Sequence, residues 1–173
     1  MRTPNDVDSD ARGKESCDTV SRVFKNRPWV IDLRETVQND SEDEDGYDMF
    51  VHVNSSFQKA VRMRGRWKEL PVQIKSSYRR IKSFVRKYSK QARFFNVTEK
   101  RHQFVLCGMY EEDLILADIV GQIVAHMIGY GMTERDALNC LNSFGDKLAV
   151  DAYRRNKEKL LNFWYGSHLI PSK

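Results

Sequence analysis

The sequence has few of the residues that build covalent or metal frameworks. Three cysteines occur among 173 residues, at Cys17, Cys107 and Cys140, and none forms a CxxC motif. This odd, widely spaced set excludes a disulfide framework and a cysteine-clamped metal site, and it indicates a reducing compartment, cytoplasmic or nuclear. The first residues, MRTPNDVDSD, contain no apolar run, so we expect no secretory signal.

Motifs for catalysis are also missing. The sequence has no phosphate-cradling GxxxxGK[ST], no paired carboxylates with a defined partner and no Ser or Cys nucleophile signature. Cys107 and Cys140 lie in apolar stretches, where burial raises a thiol pKa. His126 has no Cys, Asp or His partner at metal-ligand spacing. We therefore expect a protein that is not an enzyme and holds neither a metal nor a cofactor.

Charge is strongly segregated along the chain. Residues 1–48 hold seven Lys/Arg against thirteen Asp/Glu, a net charge of −6. Residues 49–104 hold fifteen against two, a net +13, and residues 105–173 hold seven against nine, a net −2. An acidic arm, a basic middle and a near-neutral apolar end therefore divide the chain into three regions with different roles.

The acidic arm, residues 1–48, is predicted to be disordered because few of its side chains offset the entropy of ordering. Its exception is VFKNRPWVIDLRETV at 23–37, a short apolar island with strand propensity. Pro28 removes a backbone donor and suits an edge position. The island is interpreted as an arm or strand docking on this chain's own core, or as a linear motif that folds onto another protein through Trp29, Val30, Ile31 and Leu33.

The basic middle, 49–104, is predicted to form amphipathic helices. Asn54, Ser55 or Ser56 would cap a helix through FQKAVRMRGRWKEL, and Pro71 would open a second helix. Apolar residues then recur at alternating spacings of four and three for about three heptads, which is typical of a packed helical seam. The seam consists of Ile74, Tyr78, Ile81, Val85, Tyr88, Ala92 and Phe95.

Eight cations cover much of the remaining surface of this predicted helix, 72–95, and no acid occurs between Glu69 and Glu99. One interpretation is a packed helix with solvated charges. A second is contact with the phosphates of RNA or DNA. A third is a calmodulin target, a membrane-surface helix or a nuclear import signal. The eight cations are Lys75, Arg79, Arg80, Lys82, Arg86, Lys87, Lys90 and Arg93.

The C-terminal region, 105–173, is predicted to begin with a long apolar helix. Asp118, Gln122 and His126 interrupt its hydrophobic stretch at four-residue intervals, so a buried helix is expected rather than a membrane span. Small residues also recur at every fourth position, and they would let another helix approach closely, either within one bundle or in a homo-oligomer. This small-residue stripe consists of Ala117, Gly121, Ala125 and Gly129.

Two shorter helices are predicted to follow. Thr133 caps the first, with Asp136 three residues later in capping-box style. Gly145 ends that helix in the left-handed conformation, and Asp146 caps the next. The inward faces of these helices are predicted to carry Ala137, Leu138, Leu141, Leu148, Ala149, Ala152, Tyr153, Leu160, Leu161 and Trp164.

Residues 123–162 resemble a ubiquitin-associated (UBA) domain. The Tyr130-Gly131-Met132 loop stands where that family has a Met-Gly-Phe-type loop, Ala137-Leu138 lie in its second helix, and Leu148-Ala149-Val150 open its third. Tyr153-Arg154 replace an apolar pair of the family. The resemblance implies a three-helix unit that binds proteins, and ubiquitin among them, through Tyr130, Gly131, Met132, Tyr153 and Arg154.

The sequence thus predicts an all-α protein, a helical bundle with a C-terminal UBA-like unit and a disordered acidic arm. Its predicted function is that of a non-catalytic adaptor or regulatory protein that binds protein partners, with ubiquitin as a candidate. The alternative is an RNA- or DNA-binding regulatory protein, of cellular or viral type, that uses the basic helix 72–95.

Overall fold

A computed structural model describes residues 4–36, 47–61, 69–76, 103–163 and 165–170. Within these ranges it contains a four-stranded sheet and five α-helices, so the fold is α/β and the all-α prediction is wrong. In chain order the elements are α1 (Pro4–Lys25), β1 (Val30–Glu35), β2 (Met49–Val53), α2 (Ser55–Ala60), β3 (Glu69–Lys75), β4 (Phe104–Cys107), α3 (Glu112–Gly129), α4 (Glu134–Ser143), α5 (Lys147–Leu160) and a 3₁₀ helix (Gly166–Leu169).

The sheet is mixed and follows chain order, β1-β2-β3-β4. The β1/β2 and β2/β3 pairs are antiparallel, and β3 and β4 are parallel. On the inner face Met49 pairs with Val72 and Val51 with Leu70, and all four side chains are fully buried. Apolar side chains at every second position place one face of the sheet against the helices.

The basic middle is where the all-α prediction fails most clearly. Asn54 does cap a helix, since its Oδ1 accepts from Phe57 N at 2.8 Å, but α2 ends at Ala60. Pro71 lies within β3 rather than at a helix start, opposite Phe50 of β2. Ile74, the first residue of the predicted seam, belongs to the same strand. The other seam residues lie outside the described ranges.

The N-terminal arm is also more ordered than predicted, because residues 4–25 form α1. The end of this helix buries Val20, Val23 and Phe24, which share one face at spacings of three and four. The Phe24 ring lies 5.5 Å from that of Phe104 on β4. The prediction of disorder was wrong here because three well-placed apolar residues suffice to dock a helix whose average composition is polar.

The island at 23–37 docks on this chain's own core, one of its two predicted interpretations. Residues 30–35 form the edge strand β1, with a bulge at Ile31. Trp29 is fully buried and its ring stacks on Phe57 with centroids 4.3 Å apart. The Leu33 amide donates to Asp32 Oδ1 at 2.8 Å. A bulge and charged neighbours make this edge a poor template for further strands.

The predicted caps of α4 and α5 are confirmed, but α5 ends at Leu160, and Leu161, which was predicted to face inward, is exposed. Trp164 lies outside the described residues. Thr133 Oγ1 accepts from Asp136 N at 3.1 Å, and Asp146 Oδ1 accepts from Ala149 N at 3.4 Å. Gly131 and Gly145 both have positive φ, 90° and 79°, and so occupy the conformation that glycine tolerates best.

The helix α3 is buried around most of its circumference, in agreement with the predicted buried helix. It carries Asp118, Gln122 and His126 inside the fold. None of the helices in the described part of the chain combines the length and apolar character that crossing a bilayer requires.

The small-residue stripe of α3 packs within this chain. Ala117 and Gly121 are buried, and a Cβ built on Gly121 would lie 3.0 Å from Tyr165 Oη and 3.2 Å from Leu160 Cδ1. The stripe therefore receives the end of α5 and the residue before the 3₁₀ helix. Gly129, at the end of the stripe, is exposed with no atom within 4 Å of a built Cβ.

Candidate functional site

A cleft of about 250 Å³ opens between the end of α1 and the beginnings of α3 and α5. It brings together residues from the first 30 and the last 30 positions of the chain, a juxtaposition that the predicted disordered arm did not allow. Its lining consists of Val23, Asn26, Arg27, Glu112, Asp113, Leu116, Leu148 and Arg155.

Three of the eight lining residues of the cleft are apolar, and they differ in exposure. Val23 is buried and Leu116 half-buried, whereas Leu148 is 72% exposed, the highest value among the exposed large hydrophobic residues of the described chain. Leu148 was predicted to face inward, and that prediction is wrong. The buried face of α5 begins with Ala149 and Val150, and Leu148 precedes them by one position, on the solvent side of the helix.

Exposed ion pairs border the cleft. Arg155 donates to Asp113 Oδ1 at 2.6 Å, and the Asn156 amide donates to its other oxygen at 2.8 Å. The hydrogen bond from Arg155 is the main cause that lowers the pKa of Asp113. On the opposite wall Arg22 bonds Glu112 at 3.2 Å. These pairs join α3 to α5 and to α1.

The base of the cleft is held by a buried polar cluster. Arg27 Nη1 donates to Asp146 Oδ1 at 2.6 Å, and Trp29 Nε1 donates to Asp146 Oδ2 at 2.8 Å. Arg27 Nε also bonds the Val23 carbonyl at 3.1 Å. The carboxylate of Asp146 therefore caps α5 and anchors the connection between α1 and β1 at once, which fixes the relative positions of the cleft walls.

The residues predicted from the UBA resemblance divide into two groups. Gly131 and Arg154 are exposed, and Tyr130 and Met132 are half-buried. Tyr153 is fully buried, and its hydroxyl donates to Glu134 at 2.9 Å. Burial, the first cause, and then the nearby Glu134 carboxylate raise the pKa of this hydroxyl. Tyr153 thus joins α4 to α5 within the core and is not available to a partner.

The other predicted sites are placed only in part. Lys75 lies in β3, where its carbonyl accepts from Gly108 N at 2.9 Å. The other seven cations of the predicted basic helix lie outside the described residues. In the linear motif Trp29 is buried, Val30 and Leu33 are half-buried, and Ile31 is 61% exposed.

Burial raises the pKa of two of the thiols. Burial, with smaller contributions from Asp48, Glu35 and Asp18, raises the pKa of Cys17 to about 11, and burial also raises that of Cys140. Both thiols are therefore protonated near neutral pH. Within the described ranges, no three or more His, Cys, Asp or Glu side chains are grouped so that they could hold a metal ion.

The cleft had one signal in the sequence that was overlooked. In Asp146-Lys147-Leu148 the leucine lies two positions after the helix cap, in the first turn of α5 and before its buried face begins. The second wall, α1, has no comparable signal because its first half is polar. The comparisons with known proteins add no relative: no family model matches the chain, and no curated protein or solved structure does.

Proposed function

We propose that this chain is a non-catalytic adaptor or regulatory protein whose C-terminal helices bind a protein partner at the cleft. The observation that carries the proposal is Leu148, a large apolar side chain left 72% exposed beside an apolar interior. Exposed leucines are ordinary when they are scattered, but one that borders a concave apolar surface is typical of an interaction site. A partner's apolar side chain would fill the space between Leu148, Val23 and Leu116.

The surroundings of Leu148 favour a macromolecule over a small ligand. An apolar centre inside a ring of exposed charged pairs is the common arrangement of protein interfaces, in which the rim stays hydrated. Arg22 with Glu112 and Arg155 with Asp113 supply such a rim. The protonated Cys17 and Cys140 thiols support the non-catalytic part of the proposal, since a thiol nucleophile acts as its thiolate.

Ubiquitin is the first partner to test, because the UBA resemblance implies it. The loop that would contact ubiquitin, Tyr130-Gly131-Met132, follows the C-terminus of α3, and the cleft is at its N-terminus. An 18-residue helix is about 27 Å long, so the two surfaces are separate and can be mutated independently. The three cysteines are unpaired, in keeping with the proposed cytoplasmic or nuclear location.

The proposal is tested by quantitative affinity capture with the full chain and two matched variants. Leu148→Asp places a charge at the cleft, and Ile31→Asp places the same charge on an equally apolar, 61% exposed residue outside it. Both variants should keep the wild-type circular dichroism spectrum. Proteins that Leu148→Asp loses and Ile31→Asp retains are cleft partners. If both variants capture the wild-type set, the cleft is not the binding site.

A titration of ¹⁵N-labelled ubiquitin distinguishes the two surfaces. Binding that Met132→Lys weakens and Leu148→Asp leaves unchanged would place ubiquitin on the loop, as the resemblance implies. The reverse pattern would place it in the cleft. An unchanged ubiquitin spectrum with the wild-type chain would remove ubiquitin from the proposal and leave the cleft to another protein.

The second candidate function is binding of RNA or DNA by the basic middle. The observation that favours it is the net charge of +13 over residues 49–104, with no acid between Glu69 and Glu99. Contacts between such a region and phosphates would be electrostatic and largely independent of base sequence.

A further inference from the structure

Asp118 is a carboxyl group inside the protein core. It lies on α3, is 1% exposed, and accepts two hydrogen bonds on the same oxygen. The Tyr165 hydroxyl donates to Oδ1 at 2.5 Å and the Gln122 amide donates to it at 2.9 Å. Both donors are neutral, so a negative charge on Asp118 has no opposite charge bonded to it.

The two donors connect Asp118 to opposite sides of the fold. Tyr165 immediately precedes the 3₁₀ helix, and its ring rests on Gly121. Gln122 Nε2 also donates to the Val105 carbonyl at 3.1 Å, and Gln122 Oε1 accepts from Val105 N at 3.5 Å. Gln122 thereby covers the backbone of the edge strand β4. One carboxyl group joins the C-terminal segment, α3 and the sheet.

The titratable groups closest to this carboxyl are neutral phenols. The pKa of Tyr165 is raised well above its usual value by burial first and then by Asp118. The pKa of Tyr110, in the turn before α3, is raised by burial, then by Cys107 of β4 and by Asp118. Tyr153, on α5, lies near Tyr165, and burial raises the pKa of its hydroxyl as well. None of these hydroxyls ionises near neutral pH.

The charged groups Arg22 of α1 and Glu134 of α4 form ion pairs, and His168 of the 3₁₀ helix is exposed. α1 places Arg22 on Glu112, and α4 places Glu134 on Lys157. The Nε2 atom of His126, on α3 itself, lies 2.8 Å from the Val61 carbonyl oxygen. In the described chain, burial is the first cause that raises the pKa of Asp118 to about 7, and the bonds from Tyr165 and Gln122 partly oppose it. No cationic side chain contributes.

We propose that Asp118, Tyr165 and Gln122 form a pH-sensitive latch that holds the C-terminal segment against α3 when Asp118 is protonated and weakens when it ionises. Ionisation leaves a buried carboxylate with only neutral donors, and water must reach it to restore its solvation. Displacement of Tyr165, whose hydroxyl lies 2.5 Å from Oδ1, would give water that access. The same movement uncovers Gly121, so the latch controls access to the small-residue stripe.

The direction of the pH dependence follows from proton binding in the two states. The closed state holds its proton up to about pH 7, whereas an opened, hydrated Asp118 has the ordinary value of 3.8. Between these values only the closed state binds the proton, so opening becomes about tenfold more favourable for each unit that pH rises. Above pH 7 both states are ionised and the opening constant levels off.

Amide hydrogen exchange of the full chain tests the latch. The amides of Gly166 and His168 bond Phe163 and Tyr165 carbonyls in the segment, so their protection reports its opening. After correction for intrinsic exchange rates, the opening constant should rise about tenfold per unit from pH 5 to 7 and then level off. Asp118→Asn has no proton to lose in this range, and its opening constant should not change with pH.

A second variant keeps the test decisive if Asp118→Asn does not fold. Tyr165→Phe removes a hydrogen bond that favours the ionised carboxyl and so raises the pKa of Asp118 further. The pH at which the opening constant stops rising should therefore be higher in this variant. A purely structural tyrosine would change the opening constant equally at every pH. A flat wild-type profile, a slope that persists in Asp118→Asn, or an unmoved level-off in Tyr165→Phe would each overturn the latch.

Discussion

Arg27 and Asp146 form an ion pair of 2.6 Å across 119 positions of the sequence, and their side chains are 6% and 3% exposed. The pair joins the end of the first helix to the cap of the last. It is supported by the bond from Trp29 Nε1 to the same carboxylate. A buried charge is stable only when it is paired and hydrogen-bonded, so loss of either side chain would leave the other as an unpaired charge in the core.

Removal of one partner should therefore be costly. Arg27→Met keeps most of the volume but leaves Asp146 buried without its cation, and we expect a loss of about 3–5 kcal/mol in the free energy of unfolding. Arg22→Met is the control, since its pair with Glu112 is exposed on both sides and contributes about 0–1 kcal/mol. Urea unfolding of the two variants measures the difference. Equal losses would show that the buried pair has no special role.

The contact between α1 and the turn after β4 should tolerate no extra atom. A Cβ on Gly108 would overlap the Ser16 side chain and lie 2.7 Å from Ser16 Cα. Gly108→Ala should lower the free energy of unfolding by about 1–3 kcal/mol, as overpacked sites do, and reduce exchange protection in α1. Gly129→Ala is the matched change. It meets no atom within 4 Å at the end of α3 and should stabilise by about 0.5–1 kcal/mol.

The Cys17 thiol should react slowly in the native protein. A rise in pKa from 9.0 to about 11 lowers its thiolate fraction about a hundredfold at pH 8. Iodoacetamide labelling followed by mass spectrometry should show Cys17 modified far more slowly than in the urea-unfolded chain, where the raised pKa is lost. Labelling of native Cys17 at the unfolded rate would show that the thiol is accessible and that its pKa is not raised.

Nucleic-acid binding by the basic middle should depend steeply on salt. Reversal of Arg79, Arg80, Arg86 and Lys87 to Glu should abolish binding to RNA and DNA, and it should leave the circular dichroism unchanged. A control variant reverses four exposed cations elsewhere, namely Lys14, Lys25, Lys147 and Lys159. Fluorescence anisotropy at salt concentrations from about 50 to about 200 mM measures the binding of both variants. Equal weakening in the two variants would indicate general charge attraction and not a site.

The C-terminal half of the fold was predictable because its signals are local. Thr133, Gly145 and Asp146 act within one helical turn of their own positions, so the sequence around each shows its role. The buried polar positions on α3 were also recognised, since a spacing of four residues places Asp118 and Gln122 on one face. Their partners, Tyr165 and Val105, could not be recognised, because nothing in the local pattern brings those residues together.

The sheet was missed because short strands and helices share apolar spacings. Leu70, Val72 and Ile74 alternate and face inward, yet Ile74 also fits the helical seam that continues with Tyr78. Pro71 was interpreted as a helix start, although proline also occurs in strands at positions where no backbone N–H is needed for the sheet. The cleft was missed for a different reason. It requires α1, whose end is held by contacts between residues 80 and 119 positions apart.

The distance in sequence between Arg27 and Asp146 has a consequence for synthesis. Ribosomes add about 5–20 residues per second, so Asp146 appears about 6–24 s after Arg27 has been made. During that interval Asp146 has not yet been made, and Phe104 is made only part of the way through. The apolar face of α1 is therefore exposed to chaperones and to neighbouring nascent chains. Within this sequence α1 is therefore made before α3, yet the ion pair that follows its C-terminal end forms only after α3 and the cap of α5 have been made.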